Sequence, residues 1–509
     1  MDDGQRDHDR SYWRATADAP GLVPLIGLAD ADVTVVGGGI LGLTAALLAA
    51  EAGLRVVLLE ARALASGTTG GTTGKVTAQN ETRLATLREQ DGVASARAYT
   101  AANVRGIALF DRLVADYGIA CDHEPAPAHL VALTDDRVPD LEREAAASRD
   151  AGLTVEVGPT PDEVPFAGRP CLTVPNQRQM HAVLYSQGLA AAVLALGGAV
   201  HEQSRVVDVV AEPGGRRRWR VLTDQAEVRS DHVVLATRLP THRDAKLLFG
   251  RTKPVSAVGI AARIGGTAPR GMYLFQEQRT WSIRSSRSAR AGEHLVAVGM
   301  SEPTADDGAL DGRVDRLGTW VREHFEVTSI DHAWMAQDQM PSDGRPYVGA
   351  LPGEGLWTAT GFGKWGLAFG TAAAESLVAR MRGDADPFGG AFDTGRLEPP
   401  AGWKAILRAN LRVGALFVGD RVRARGSDPD LEPGEGRLVR RGAATTAVAR
   451  TRDGKVHAVS AACTHLGCLV RWNVEEQTWD CGCHGSRFAP DGEVLEAPAT
   501  KPLRPVDFG

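Results

Sequence analysis

Cys463-Thr464-His465-Leu466-Gly467-Cys468 is followed, after a strand-sized interval, by Cys481-Gly482-Cys483-His484-Gly485-Ser486. The two segments contain the mixed pairs C-x-H and C-x-x-H, which a small β domain can present as two loop tips. Two thiolates and two imidazoles suit a [2Fe–2S] centre in which the cysteines hold one iron and the histidines the other. Neutral imidazoles in place of thiolates remove negative charge from such a centre and raise its potential. Its chemistry is the movement of single electrons. A tetrahedral Cys2His2 zinc site is the alternative. Against it, zinc ribbons favour C-x-x-C knuckles and have no use for two further cysteines at these offsets.

The two loops resemble those of the Rieske family, specifically its high-potential branch in cytochrome bc complexes, where they read C-T-H-L-G-C and C-x-C-H-G-S. The resemblance covers roughly the last eighty residues, the size of a small domain, and includes a covering loop, Glu496-Ala497-Pro498-Ala499. It implies Cys463 and Cys481 as ligands of one iron, and His465 and His484 as ligands of the other. It also implies a disulfide between Cys468 and Cys483 that clamps the loops together. In that branch a serine donates to a bridging sulfide and a tyrosine two positions later donates to a ligating sulfur. This chain keeps Ser486 but has Phe488 at the second place, and Gly482 replaces a proline. Donors to sulfur stabilise the reduced cluster, so the resemblance implies a potential below the top of the Rieske range.

A chain of 509 residues has room for about two to four domains. Hydrophobic residues make up 43% and charged residues 24%, ordinary values for a globular protein with large cores. A net charge of −6 argues against nucleic acid, which calls for a basic face. Met1 to Arg10 is polar and acidic, unlike a secretory leader, and no apolar run reaches the length of a membrane span. A cytoplasmic location without membrane contact is therefore expected, where a disulfide is unusual. Cys121 and Cys171 stand apart and read as buried small hydrophobes, not nucleophiles.

A second constellation spans Asp32 to Glu60. Val33-Thr34-Val35-Val36 is a β-branched strand, Gly37-Gly38-Gly39-Ile40-Leu41-Gly42 a turn, and Leu43 to Ala52 an Ala/Leu-rich helix stopped by Gly53. A second strand, Leu54 to Leu59, ends on Glu60. Gly37 permits the turn, Gly39 lets backbone approach a pyrophosphate, and Gly42 lets helix and strand pack closely. The phosphates then rest on the helix N-terminus, and Glu60 accepts from ribose hydroxyls.

Three later segments favour FAD over NAD. Ser66 to Thr77, with Thr73, Gly74 and Lys75, is rich in donors and glycines where a ribityl chain and ring edge would pass. Val233 to Thr237 is an isolated buried strand ending in small residues. After Asp343 to Gly349, Leu356-Trp357-Thr358-Ala359-Thr360-Gly361-Phe362-Gly363-Lys364-Trp365-Gly366 repeats strand, glycine turn and helix start, with the helix ending near Arg382 before Gly383. This order, over roughly residues 30–385, resembles the FAD-dependent oxidoreductases of the D-amino-acid oxidase class, which include enzymes that oxidise glycine, sarcosine and dimethylglycine. The resemblance places Gly361, Gly363, Lys364 and Gly366 against the flavin pyrimidine, where the Gly366 helix dipole and Lys364 would stabilise an anionic reduced flavin. Lys75 is either beside flavin N5 or the substrate carboxylate, or a solvated loop lysine. Trp365 roofs the substrate pocket or fills core. His181, His201 and His332 read as structural.

The expected architecture is an α/β, Rossmann-like FAD-binding domain with an interleaved α+β substrate domain, followed by a small all-β Rieske domain. Residues 1–29 are an N-terminal extension. The FAD-binding parts are about 30–89, 171–240 and 336–385. The substrate parts, about 90–170 and 241–335, form an antiparallel sheet over the flavin. Residues 386–420 are a linker and bridging helix, with helical spacing from Trp403 to Val418, and 421–509 the Rieske domain. The expected function is oxidation of a C–N bond in an amine or amino acid. Hydride passes to flavin, and electrons pass singly through the cluster to an acceptor protein or quinone. The alternative is a module passing electrons from NAD(P)H to a partner oxygenase, although no second GxGxxG is present.

Overall fold

The computed structural model describes residues 11–242, 245–305, 312–396, 430–441 and 444–507. Its centre is a six-stranded sheet in the order Tyr347–Ala350, Leu356–Thr360, His232–Leu235, Val33–Val36, Val56–Leu59, Ala199–His201. All neighbours are parallel except the first pair. Alternation assigns the two faces. Val33, Val35, Val56 and Leu58 pack against helices, while Val36, Val57, Leu59 and Val233 pack against a second, four-stranded sheet with Trp219, Val221 and Val228. Both faces are covered, so the central strands are apolar throughout.

The helix Ile40–Glu51 is apolar on nearly every side, and ten of its residues are buried; a helix of that kind belongs in a core. Beside it runs Gly366–Met381, crossed by Val93–Tyr117. Gly106 makes that crossing possible, because a Cβ there would sit 1.9 Å from Ala368 O. The helix Val93–Tyr117 thus joins the core of the nucleotide-binding layer, although its sequence position falls in the stretch assigned to the substrate part.

A nine-stranded mixed sheet forms the other wall of the site. Most neighbours are antiparallel; Met272–Gln276 and Glu124–Ala132 run parallel. The strand Pro170–Gln179 belongs to this sheet, and Val327–Pro341 continues it beyond 335. Both therefore cross the divisions drawn at 171 and 335. The helix Arg313–His324 covers the outer face, where Trp281 stacks on Trp320 at 5.0 Å.

Within the N-terminal extension, Tyr12 and Trp13 of a one-turn helix are 0% exposed and pack on Ala261, Val296 and Trp334. The start of the expected linker is likewise docked. Phe392 is 2% exposed against Phe369, and Arg396 pairs with the buried Asp343 at 2.8 Å. Trp403 to Val418 lies outside the described residues.

The C-terminal region has a three-stranded sheet, Gly436–Arg441, Ala444–Arg450 and Val456–Ser460. A four-stranded one follows, Arg471–Asn473, Thr478–Asp480, Arg487–Phe488 and Val494–Glu496. Trp479, Phe488, Val459 and Leu503 fill the core between them. Among the described residues no helix is long and apolar enough to cross a membrane.

Candidate functional site

The strand Val33–Val36 leads into Gly37, whose φ of +111° and whose approach to Ala236 O exclude a side chain; a Cβ would stand 2.6 Å from that oxygen. A Cβ on Gly42 would fall 1.9 Å from Gly37 O, so the helix start is pressed onto the turn. Gly39 caps the helix with no side chain of its own, leaving the N-terminus turned to a cavity. Glu60 is fixed by backbone donors, Gly38 N at 2.7 Å and Arg62 N at 2.9 Å.

One long cavity runs from Glu60 past this turn to the N-terminus of the helix Gly366–Met381. Gly37, Gly39, Ile40, Glu60, Thr73, Lys364, Trp365 and Gly366 line it. Gly42, Gly74, Lys75, Gly361 and Gly363 stand behind the lining. Gly74, at φ +77°, packs on Met180 O. Gly363, at φ +58°, donates its N–H to Gln339 O at 3.1 Å. These glycines shape the walls. Lys364 is exposed, its Nζ 3.9 Å from Glu81, while its backbone N–H donates to Asp338 Oδ2 at 2.6 Å. Trp365 lines the cavity and also packs on the core.

Lys75 is neither a solvated loop residue nor part of the lining. Its side chain is buried, donating to Tyr273 O at 3.0 Å and contacting Ser282 Oγ. Burial and the neighbouring Arg284 push its pKa far below the usual lysine range. No sequence signal marked Ser282, Asp338 or Arg238, which also line the cavity. Ser282 and Asp338 join the site through strand pairing, and Arg238 from the bend that follows the strand His232–Leu235. Burial raises the Asp338 carboxyl, and both its oxygens accept backbone N–H groups, from Gln339 and Lys364. His181 caps the helix Ala182–Ala195 through Leu184 N, a structural task. Cys121 and Cys171 are buried thiols; burial lifts Cys121 to about 12.

In the C-terminal region each cysteine–histidine loop closes on itself, through Cys463 N to Cys468 O at 2.8 Å and Gly485 N to Cys481 O at 2.9 Å. A disulfide, Cys468–Cys483, ties the two together. Cys481 Sγ lies within 4.8 Å of both disulfide sulfurs, but those have no thiolate to offer a metal. The donors that remain are Cys463, Cys481, His465 and His484. A hydrogen bond from Cys481 pulls the Cys463 thiol down to about 7. Burial holds His465 and His484 down to about 4, so both imidazoles are neutral. Their ring centroids lie 5.0 Å apart, and His484 Nδ1 is buried without a partner. An orphaned imidazole nitrogen beside two thiols is the donor set an iron–sulfur centre requires.

The two regions meet at this point. Leu495, Glu496, Ala497, Ala499 and Thr500, from the covering loop and its flanks, form part of the wall of the long cavity. Arg238 Nη2 reaches Gly485 O at 2.8 Å, Ala497 O at 2.9 Å and Glu496 Oε2 at 3.1 Å. Gln339 Nε2 donates to His484 O at 3.2 Å, and Phe249 lies edge-on to His465 at 4.6 Å.

Comparison with known proteins agrees with this geometry. The family model described as DAO, FAD dependent oxidoreductase, matches residues 32–381, and the Rieske [2Fe-2S] domain model matches residues 424–507. The chain belongs to the FAD dependent oxidoreductase family and carries a C-terminal Rieske domain; it is an oxidoreductase with FAD and a [2Fe–2S] cluster as its cofactors. It is 30% identical over 503 residues, 98% of its length and 97% of the relative's, to the Bacillus subtilis (strain 168) protein named "Putative Rieske 2Fe-2S iron-sulfur protein YhfW". Over 44 residues, 9% of this chain and 25% of the other, it is 57% identical to the cytochrome b6-f complex iron-sulfur subunit 3 of Nostoc sp. (strain PCC 7120). Glycine oxidase from Geobacillus kaustophilus has the same fold at 19% identity, with a TM-score of 0.60 over 72% of this chain and 99% of that one. L-amino acid deaminase from Proteus vulgaris does so at 15% identity and a TM-score of 0.56, over 75% and 100%.

Proposed function

We propose that the chain oxidises a C–N bond of a small amine or amino acid, with FAD as two-electron acceptor and the Rieske centre as one-electron outlet to an acceptor protein or quinone. The observation that carries this reading is the shared cavity. Its walls include the dinucleotide turn, the Gly366 helix start and the Rieske covering loop. The fold likeness to proteins named glycine oxidase and L-amino acid deaminase supports an amine or amino-acid substrate.

In this reading Gly37, Gly39, Ile40 and Glu60 hold the dinucleotide end, Glu60 through ribose hydroxyls. Thr73 and the N-terminus of Gly366–Met381 hold the flavin end, where the helix dipole favours negative charge. Asp338 fixes that end by accepting Lys364 N–H, and Gln339 ties the same turn to the His484 loop. Cys463 and Cys481 hold one iron, His465 and His484 the other. Joining both sites in one chain keeps them at high effective concentration.

Anaerobic mixing with glycine, sarcosine, proline or simple amines should bleach the flavin and then reduce the cluster, seen by EPR. Cys463→Ser and His484→Ala should lose iron while keeping FAD, since the two sites are built from separate sheets. Zinc in place of iron would overturn the cluster assignment. Rapid bleaching by NADH and by no amine would instead favour an electron-transfer module.

A further inference from the structure

Lys75 is the one buried lysine among the described residues, and it lies behind the cavity wall. Alternation along Thr280–Ser288 turns Trp281 and Ile283 outward into the core under Arg313–His324. Thr280 and Ser282 consequently face the cavity, which they line. Behind Ser282, Lys75 Nζ has two polar neighbours, Ser282 Oγ and Tyr273 O. A neutral amine satisfies both, donating one N–H to the carbonyl and accepting the Ser282 O–H on its lone pair. An ammonium would bring a further donor into a site with no carboxylate to receive it.

The surrounding charges favour the neutral form. Arg284, on the same strand as Ser282, is a buried cation committed to Thr73 O, Ser285 O and Met180 O. Glu81 faces Lys364, and Glu124 is hydrogen-bonded by Gln179, the residue paired with Lys75 across the strands. Asp338, across the cavity, already has a backbone N–H on each oxygen. The strong downward push on the Lys75 pKa agrees with this count of donors.

A C–N bond is oxidised from the free amine, whose lone pair becomes part of the C=N bond, yet amines enter at neutral pH as ammonium ions. We propose that Ser282 and Lys75 are the proton acceptor for a cationic amine substrate: the substrate N–H gives its proton to Ser282 Oγ as the Ser282 hydroxyl proton passes to Lys75 Nζ. The substrate N–H and serine O–H bonds break, the serine O–H is remade and a lysine N–H forms. No electrons move; the substrate becomes a neutral amine and Lys75 a transient ammonium. Because burial in the same pocket lowers the bound substrate ammonium as it lowers Lys75, the proton passes between bases matched in that environment and is discharged through Ser282 as product leaves. Ser282 is the catalytic residue in this scheme, and Lys75 acts through it. The proposal rests on the amine-oxidation reading above.

Two measurements on the holoenzyme test it. The chain has seven lysines, so lysine labelled with 13C at Cε gives few signals. The one lost in Lys75→Met should hold its neutral shift at pH 7 and titrate well below the others. If it titrates with the exposed lysines, the relay is wrong. Separately, anaerobic flavin bleaching by glycine, sarcosine and N-methylbenzylamine is followed against pH. Wild-type rates should be nearly flat above pH 7. Ser282→Ala, a small change that leaves Lys75 in place, should slow bleaching by ~100-fold at pH 7. Its rate should then climb about tenfold per pH unit toward the amine's own pKa, because only free amine reacts. Lys75→Arg should not rescue, since a guanidinium stays charged. An unchanged profile in Ser282→Ala overturns the proposal alone. Failure of every amine to bleach the wild type overturns the amine reading, and this proposal with it.

Discussion

At the scale of single residues, the cluster's electronics depend on who donates to its sulfurs. Ser486 hydrogen-bonds the Cys463 thiol and accepts Ala499 N–H at 3.0 Å, so the hydroxyl is held in place. Phe488, 0% exposed, occupies the core position where a tyrosine would add a donor. A donor to sulfur stabilises the more negative, reduced state. The potential should therefore lie within the Rieske range of about −150 to +300 mV, below its upper end. Phe488→Tyr should raise it and Ser486→Ala lower it, measured by redox titration of the EPR signal in the intact chain. A wild-type value at the top of the range would show that Phe488 is not limiting. The residues proposed as metal ligands stand out in sequence because their spacing is local. Ser282 does not: it lies 207 positions from Lys75, and only the nine-stranded sheet brings the two together.

At the scale of elements, the glycine turn and its strand–helix frame followed from patterning, because each Gly answers a local backbone demand. The division between the two large sheets did not follow. Pro170–Gln179 and Val327–Pro341 alternate like any half-buried strand, and alternation does not say which sheet a strand joins. The role of Tyr12–Ala15 was also hidden, since four residues carry no period. Yet this turn locks the loop of the flavin end. Trp13 Nε1 donates to Thr72 O at 2.6 Å, Ser11 Oγ donates to Gly70 O, and Arg284 lies over the Trp13 ring at 4.7 Å. Trp13→Ala should cost about 3–5 kcal/mol of stability, in the range for a buried aromatic. Because Thr72 and Thr73 line the cavity, it should also weaken FAD retention. Thermal unfolding and flavin content after gel filtration give the two readouts; a variant with wild-type values in both would make the turn incidental.

For the whole molecule, the question is how firmly the Rieske domain rests on the flavin domain. Several polar contacts cross the junction, and two of them respond to different variables. Glu476 accepts Met335 N–H at 2.9 Å across the junction and shares Arg487 with Asp480 and Glu496. Asp480 takes the guanidinium at 2.9 Å, leaving Glu476 the outermost at 3.7 Å; burial lifts its carboxyl from 4.5 to about 7. The folded state then binds the extra proton between those values. This contribution is present below pH 4.5 and is lost as pH rises toward 7. Glu476→Gln should therefore gain stability relative to wild type as pH climbs from 4.5 to 7, and the difference should be flat beyond. A difference in melting temperature that shrinks over that interval would mean the carboxylate is stabilised at the junction.

Arg238 is the firmer fastening. It stands at φ +63°, in the left-handed region an arginine seldom occupies, and its side chain is 11% exposed. From there a single nitrogen holds the His484 loop through Gly485 O, the covering loop through Ala497 O, and the Glu496 carboxylate. Removing it would leave Glu496 with Arg487 at 3.5 Å and the Gln337 amide at 3.2 Å, and would take the Arg238 donor from two carbonyls at the seam. Truncating one member of such a buried charged pair costs about 2–5 kcal/mol, a shift of more than tenfold in the docked population. Arg238→Ala should consequently leave iron bound and leave flavin reduction by substrate or light intact. Growth of the reduced-cluster EPR signal after flavin reduction should slow by at least ~10-fold, and proteases should cut more readily between the two regions. Iron retained with an unchanged transfer rate would mean that other contacts, such as Gln339 to His484, are enough to hold the cluster loop against the cavity.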